Sequence, residues 1–298
     1  MNLKEIAPDI YCLRMPIDVG EPDINMYIFD GEVPTIIDVG INTPEIYEGI
    51  QKALKEIGIK GIKQVLLTHW HVDHGGCAER LRQDGAEIFI GKKDYEEWVS
   101  FIEGESFEVF EKLAGKVWGV PDKELAAIMK YNKKLLYVTE LPKKVQIIPI
   151  GATIKAGNTS LRALYTPGHT SGHMSFLEEE KSLLFSGDFL LPEIIPYPGA
   201  WLENDQVVSG LPSFLEALNR IEMLEPKEYF PAHGRSRRSP ASRSQEMKNQ
   251  IQRQIQNFTP RSTVYEGALE MSKGEFHPVI TFVNLHYVYG WQTLMAHV

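Results

Sequence analysis

The spacing of apolar positions along the chain switches between two periods. "IYCLRMP", "NMYIFDG" and "PTIIDVG" are apolar runs punctuated by Gly, Pro and Asp, which predicts that strands open the fold. "NTPEIYEGIQKALKEIG" then takes up helical spacing. Ile46, Ile50, Leu54 and Ile57 share one face, Thr43 is positioned to cap, Pro44 suits the first turn and Gly58 ends it. "QVLLTH" reads as a buried strand, "CAERLRQDG" as a short helix closed by Gly85, and "AEIFIG" as another strand, so β and α elements alternate.

From residue 94 to about residue 132 helical spacing takes over, through Tyr95, Trp98 and Val99, then Phe107, Phe110, Leu113 and Val117, then Leu125, Ile128 and Met129. This predicts a helical insertion whose aromatic residues serve mainly as core. Strands return in "VQIIPI", "SLRALYTP", "HMSFLEE" and "SLLFSGD", followed by the helix "LPSFLEALNRIEML" and the strand "EYFPAHG". From Pro240 onward the pattern is helical and ends in "FVNLHYVYGWQTLMAHV", apolar enough either to dock on the core or to form a homodimer contact. The expected organisation is an α/β catalytic domain over 1–239 and a helical extension over 240–298.

Composition narrows the class. Of 298 residues, 43% are hydrophobic and 24% charged, which fits a globular protein rather than a disordered or collagen-like one. No apolar stretch approaches the length of a bilayer span, and "MNLKEIAPDIYCLRM" lacks the apolar core of a secretory signal, so a cytoplasmic protein without a membrane partner is expected. Cys12 and Cys77 have no metal or disulfide-framework spacing and are expected to be reduced thiols. A net charge of -9 would repel a phosphate backbone, which argues against nucleic acid as a partner. The basic run "HGRSRRS" cuts the other way, but it is short and reads as a solvated loop.

The chemistry concentrates where apolar strands run into polar, Gly-containing turns. "LLTHWHVDHGG" carries His69, His71, Asp73 and His74; "LYTPGHTSGH" carries His169 and His173; "LLFSGD" offers Asp188 and "YFPAHG" offers His233. On alternate positions of an extended segment His69 and His71 point to one side, so both can reach one ion. Asp73 and His74, where a helix begins, turn toward another. Imidazole nitrogen and carboxylate oxygen suit Zn²⁺, and iron or manganese would also be accepted. Leaving so many polar groups at a sheet edge without such compensation would be costly.

In order along the chain, Asp38 in "IIDVG", the HxHxDH stretch, His169, Asp188 and His233 resemble the pattern of the metallo-β-lactamase superfamily over about residues 10 to 235. The resemblance implies a four-layer αββα sandwich with two metals at one edge. His69, His71 and His169 would hold the first ion, Asp73, His74 and His233 the second, and Asp188 would bridge them. Asp38 would orient ligands, and His173 would be either near the site or structural. It further implies a metal-dependent hydrolase in which a hydroxide shared by the two metals attacks an electrophilic centre, with Asp73 relaying a proton.

The helical insertion and tail look more like the glyoxalase II-like and lactamase-like branch than the compact antibiotic-cleaving enzymes. The expected substrate is a small-molecule ester, thioester, lactone or related amide. Phe189, Tyr197 and Trp201 in "FLLPEIIPYPGAW" are candidates for the pocket wall, with core packing as the competing reading. One alternative is a phosphodiesterase or ribonuclease using "GRSRRS" for phosphate contacts. Another is an iron-dependent oxidoreductase on the same fold, against which His71, His74 and His233 weigh.

Overall fold

The computed structural model describes residues 1–17, 22–203, 206–235, 239–259 and 261–296. Its first sheet contains β1 (Asn2–Ala7), β2 (Ile10–Met15), β3 (Ile24–Phe29), β4 (Thr35–Ile37), β5 (Gln64–Leu66), β6 (Glu87–Ile90) and β7 (Gln146–Ile147), neighbours in that order. Pairing is antiparallel from β1 to β4 and parallel from β4 to β7. The helices α1 (Pro44–Glu56), α2 (Val72–Gly75) and α3 (Ala78–Gln83) supply the connections from β4 to β5 and from β5 to β6, as a parallel crossover demands.

The second sheet has the order β14 (Glu228–Pro231), β11 (Leu183–Gly187), β10 (Met174–Glu178), β9 (Thr159–Tyr165) and β8 (Thr153–Ala156). It is antiparallel except for β11 beside β14, which the helix α7 (Leu211–Leu224) precedes.

Alternation along the strands builds the layers. Tyr27, Phe29, Ile37 and Leu66 of the first sheet share one buried cluster with Leu161, Phe176, Leu183 and Phe185 of the second, so these side chains fill the space between the sheets. Their neighbours Met26, Ile28, Ile36, Val65, Leu177 and Leu184 belong to another cluster with Ile46 and Ile50 of α1 and Phe214 and Leu218 of α7. Strands buried on both faces read as continuous apolar runs, which is why they are visible in the sequence. The result is the four-layer αββα sandwich.

The Thr43 side chain accepts a hydrogen bond from the Ile46 amide, and Gly58 follows α1 at φ +80°, as the sequence pattern predicts. The insertion forms α4 (Lys92–Glu103), α5 (Glu105–Lys112), a π turn at Leu113–Val117, α6 (Asp122–Lys134) and a 3₁₀ turn at Leu135–Val138. Trp98, Phe107, Leu113, Leu125, Ile128 and Met129 are buried there, whereas Val117 is exposed. The C-terminal segment forms α8 (Pro240–Asn257), α9 (Val264–Met271) and α10 (Pro278–Met295), and α10 packs against α9, α6 and α7.

Two features have weak sequence signals. β1 is an edge strand whose Lys4 and Glu5 interrupt its apolar positions, with a register shift between Glu5 and Ala7. The hairpin of β12 (Ala200–Glu203) and β13 (Gln206–Ser209) stands apart from both sheets, so only part of it is buried. Ser236, Arg237 and Arg238 of the basic run lie outside the described residues. Among the described residues no helix is long and apolar enough to cross a membrane, and both cysteines are free.

Candidate metal centre

β5 ends at Leu66, so the histidine stretch is not strand but a loop running from Thr68 into α2, with His71 at the helix N-cap. The expectation that His69 and His71 share a side survives this change, since their ring centroids lie 4.6 Å apart. Asp73 and His74 sit in the single turn of α2, where both group with His233, while the His74 ring also lies 3.9 Å from that of His69. Two glycines permit the crowding. A Cβ on Gly76 would lie 2.3 Å from the Val72 carbonyl oxygen and 2.6 Å from that of Val138. Gly187, at φ +54°, leaves β11 so close to the loop that a Cβ would meet Thr68 at 2.7 Å and His173 at 2.8 Å.

The structure gathers the seven residues from four strand ends into three overlapping groups: His69, His71 and His169; His69, His74 and Asp188; and Asp73, His74 and His233. Tetrahedral coordination at about 2.0–2.1 Å puts neighbouring ligand atoms roughly 3.3–3.4 Å apart. The spacings observed bracket that figure. His169 Nε2 is 3.1 Å from His71 Nδ1 and 3.4 Å from Asp188 Oδ2. His233 Nε2 is 3.2 Å from Asp73 Oδ2 and 3.6 Å from Asp188 Oδ1, and His74 Nε2 is 3.6 Å from both carboxylates. His69 Nε2 is buried and has no hydrogen-bond partner among the described residues. Lone pairs that converge without partners in a buried site fit a divalent cation.

Four of the five imidazoles, those of His69, His74, His169 and His233, are aimed by their other nitrogen. His69 Nδ1 meets Thr68 Oγ1 at 3.1 Å, His169 Nδ1 donates to the Tyr197 carbonyl at 2.9 Å, and His233 Nδ1 donates to the Pro22 and Asp23 carbonyls at 3.1 Å. Asp38 does this for His74. Its Oδ2 lies 2.9 Å from His74 Nδ1 and accepts from the Thr68 hydroxyl at 2.8 Å, while Oδ1 accepts from the Thr68 amide at 2.8 Å. The residue holds φ at +55°, a left-handed conformation uncommon outside glycine, which is consistent with a backbone constrained by its surroundings. His173 lies behind the site: Nδ1 meets Thr166 Oγ1 at 2.9 Å and Nε2 accepts from the Asp188 amide at 3.2 Å.

Electrostatics divides the cluster. Burial, reinforced by neighbouring imidazoles, holds His69 well below its ordinary value, and burial together with His169 holds His71 down to about 3, leaving both neutral with lone pairs available. For His74 and His233 burial is outweighed by Asp188 and Asp73, so both are raised, His233 to about 9. Burial likewise opposes ionisation of Asp188, yet His74 and His233 keep its carboxyl well below the usual range. The second group of residues therefore favours positive charge at its centre.

Two carboxylates absent from the sequence reading brace the site from α4. Asp94 accepts from the Thr170 hydroxyl and the Gly172 amide, both at 3.1 Å, and Glu97 accepts from Trp70 Nε1 at 2.9 Å. They tie the insertion to the loops that carry His169 and His71. Neither has a spacing signal, because the partners lie far along the chain.

The cluster opens into a cavity of about 350 Å³, within the range of small-molecule sites. Tyr197 and Trp201 line it. Phe189 does not: it is fully buried against Phe214 in the core, because the chain turns inward immediately after Asp188. Core packing is thus the correct reading for Phe189. Trp70 and Val72, between the ligating positions, also border the cavity, as do Phe101 and Phe110 of the insertion. The C-terminal helix contributes Phe282, His286 and Tyr287, which sequence reasoning left as core or dimer contact.

These features define a class. The metallo-beta-lactamase superfamily profile matches residues 19–233, and the chain belongs to that superfamily. It is similar to the probable metallo-hydrolase YqjP of Bacillus subtilis (strain 168), 28% identical over 237 residues, covering 76% of this chain and 72% of that protein. An atrochrysone carboxyl ACP thioesterase of Pseudocercospora fijiensis (strain CIRAD86) is 27% identical over 199 residues, 67% of this chain but 43% of its own length, so the chain spans under half of that relative. A crystal structure of a metallo-beta-lactamase family protein from Thermus thermophilus superposes with a TM-score of 0.81 at 26% identity, covering 96% of this chain and 94% of that one. The protein is accordingly an enzyme of this superfamily, in the metallo-hydrolase class.

Proposed function

We propose that the protein hydrolyses an uncharged small-molecule ester, thioester or lactone with the help of two divalent cations, most simply Zn²⁺. In this reading His69, His71 and His169 hold one ion, Asp73, His74 and His233 the other, and Asp188 lies between them. When bound, the pair supplies Lewis acidity, polarising the scissile carbonyl and lowering the pKa of water at the site. Asp38 and Thr68 keep His74 and His69 in the tautomers that present Nε2 inward. Asp73 borders the cavity and carries a proton to the leaving group. The insertion and α10 shield the reacting centre from bulk water.

The observation that carries this reading is the setting of the cluster at the floor of a mostly apolar cavity. Among the described residues no lysine or arginine lines it. Beyond the cations at its floor the cavity would offer a substrate carboxylate or phosphate the acidic Glu97 and no basic side chain, whereas a neutral acyl group would meet aromatic and aliphatic walls. The fungal thioesterase relative supports the same bond class.

The test is elemental analysis of the purified protein combined with a panel of thioester, aryl ester, lactone, β-lactam and bis-phosphodiester substrates. Two zinc ions per chain with thioester, ester or lactone turnover, abolished by a chelator, are expected. One iron with oxygen consumption, or turnover confined to phosphodiesters, would overturn the proposal.

A further inference from the structure

The cavity contains a polar ring that the proposed chemistry does not use. His286 on α10 is 6% exposed and lines the cavity wall. Its Nδ1 lies 2.8 Å from the Phe282 carbonyl oxygen one turn earlier, and a carbonyl only accepts, so Nδ1 carries the proton and Nε2 keeps its lone pair. Burial lowers the ring to about 4, which leaves it neutral at pH 7.

Its surroundings are aromatic. Phe282 is 4.5 Å away between centroids, Trp118 meets the ring edge-on at 5.1 Å, Tyr197 lies at 5.4 Å and Phe110 stacks at 6.3 Å with an 8° tilt. No hydrogen bond to His286 Nε2 is made among the described residues. An apolar side chain would suit such walls better than an acceptor left without a donor. Tyr197 links this corner to the metal centre, since its ring lies 4.8 Å from His169 and 6.2 Å from His71. One aromatic ring therefore separates the open acceptor from the reacting centre. The Tyr287 hydroxyl, which donates to the Ile195 carbonyl, fixes α10 against the adjoining loop.

We propose that His286 is the specificity-determining residue of an acyl subsite, with Nε2 accepting a hydrogen bond from a hydroxyl or amide N–H carried by a flat, uncharged acyl group seated among Phe110, Tyr197 and Phe282. The subsite rests on the ester and thioester reading above. It selects for an acyl ring bearing a donor and against the same ring without one, because only the first pairs with Nε2.

The experiment compares N-acetylcysteamine thioesters of phenylacetate with those of 2-, 3- and 4-hydroxyphenylacetate on the metal-loaded enzyme. At least one hydroxylated isomer is expected to exceed phenylacetate in kcat/KM by roughly 5- to 100-fold, the effect of one buried neutral hydrogen bond. In His286→Phe the ratio of hydroxylated to unsubstituted kcat/KM should fall to within about 2-fold with metal content unchanged, and His286→Gln should restore part of it. The unreactive amides of the same acids, titrated into the wild-type protein with the His286 ¹⁵N signals as readout, give a measurement independent of turnover and of the variants' folding. Equal kcat/KM for all four thioesters, or a preference that survives in well-folded His286→Phe, overturns the subsite while leaving the hydrolase reading intact. If no thioester is cleaved but a hydroxylated amide still shifts Nε2, the hydrolase reading fails and the subsite stands.

Discussion

Replacing Asp38 with asparagine tests how the chain presents its metal-binding nitrogens. The side chain is 2% exposed and makes three short contacts, with Oδ1 taking the Thr68 amide and Oδ2 taking both the Thr68 hydroxyl and His74 Nδ1. Asparagine has the same shape but one acceptor oxygen. The Thr68 amide is an obligate donor and claims that oxygen, so the new NH₂ group faces His74 Nδ1. Two donors cannot pair, and His74 must move its proton to Nε2, the atom that faces Asp73 and Asp188 at 3.6 Å.

A protonated Nε2 has no lone pair for a cation. The substitution therefore exchanges a charge-assisted hydrogen bond worth about 1.5–3 kcal/mol for a neutral one, and costs roughly 10- to 100-fold in affinity at the Asp73, His74 and His233 group. The group of His69, His71 and His169 should bind as before. Zinc titration against a chromophoric chelator resolves the two affinities, and ¹⁵N shifts of His74 report the tautomer. Wild-type affinity at both sites, with His74 still protonated on Nδ1, would refute the reasoning.

Further outcomes follow from the same geometry. Asp73→Ala should lower turnover by at least about 10²-fold without unfolding the chain; wild-type rates from the folded, metal-loaded variant would remove Asp73 from its proposed role. Gly76→Ala should destabilise by about 1–3 kcal/mol or more in urea denaturation, because its Cβ falls 2.6 Å from the Val138 carbonyl oxygen. Glu79 is buried and bonded to Arg82, the Lys143 amide and Gln83, chiefly Arg82, which together hold its carboxyl at about 2 against an ordinary 4.5. A depressed folded value means that its stabilisation is complete above pH 4.5 and is lost as pH falls toward 2. Allowing for solvent screening, Glu79→Gln should cost about 1–2 kcal/mol at pH 7 and clearly less at about pH 3, measured by urea midpoints at the two values.

Much of the molecule is legible from local pattern. Apolar runs and their Gly and Pro boundaries mark the buried strands, Thr43 and Pro44 mark α1, and the HxHxDH stretch with Asp38, His169, Asp188 and His233 marks the family. Such signals survive in sequence because they depend on neighbours a few residues apart, or on residue types that have few other reasons to occur together. β1 is less visible because an edge strand tolerates Lys4 and Glu5.

The cavity is another matter. Phe189, Tyr197, Phe110 and Phe282 are aromatic residues in apolar surroundings, and nothing local distinguishes a wall from a core. Phe189 turns into the core against Phe214, while Phe110 and Phe282, 172 positions apart in sequence, pack with ring centroids 5.2 Å apart in the cavity wall. Asp94, Glu97 and His286 acquire their meaning in the same way, from partners such as Thr170, Trp70 and Tyr197 that only the packing of α4 and α10 on the sandwich brings close. The sequence by itself determined which groups could bind metal, because ligand chemistry is written in residue type and short spacing. Only the tertiary structure decided what surrounds them, because that depends on which distant faces the burial of apolar surface brings together.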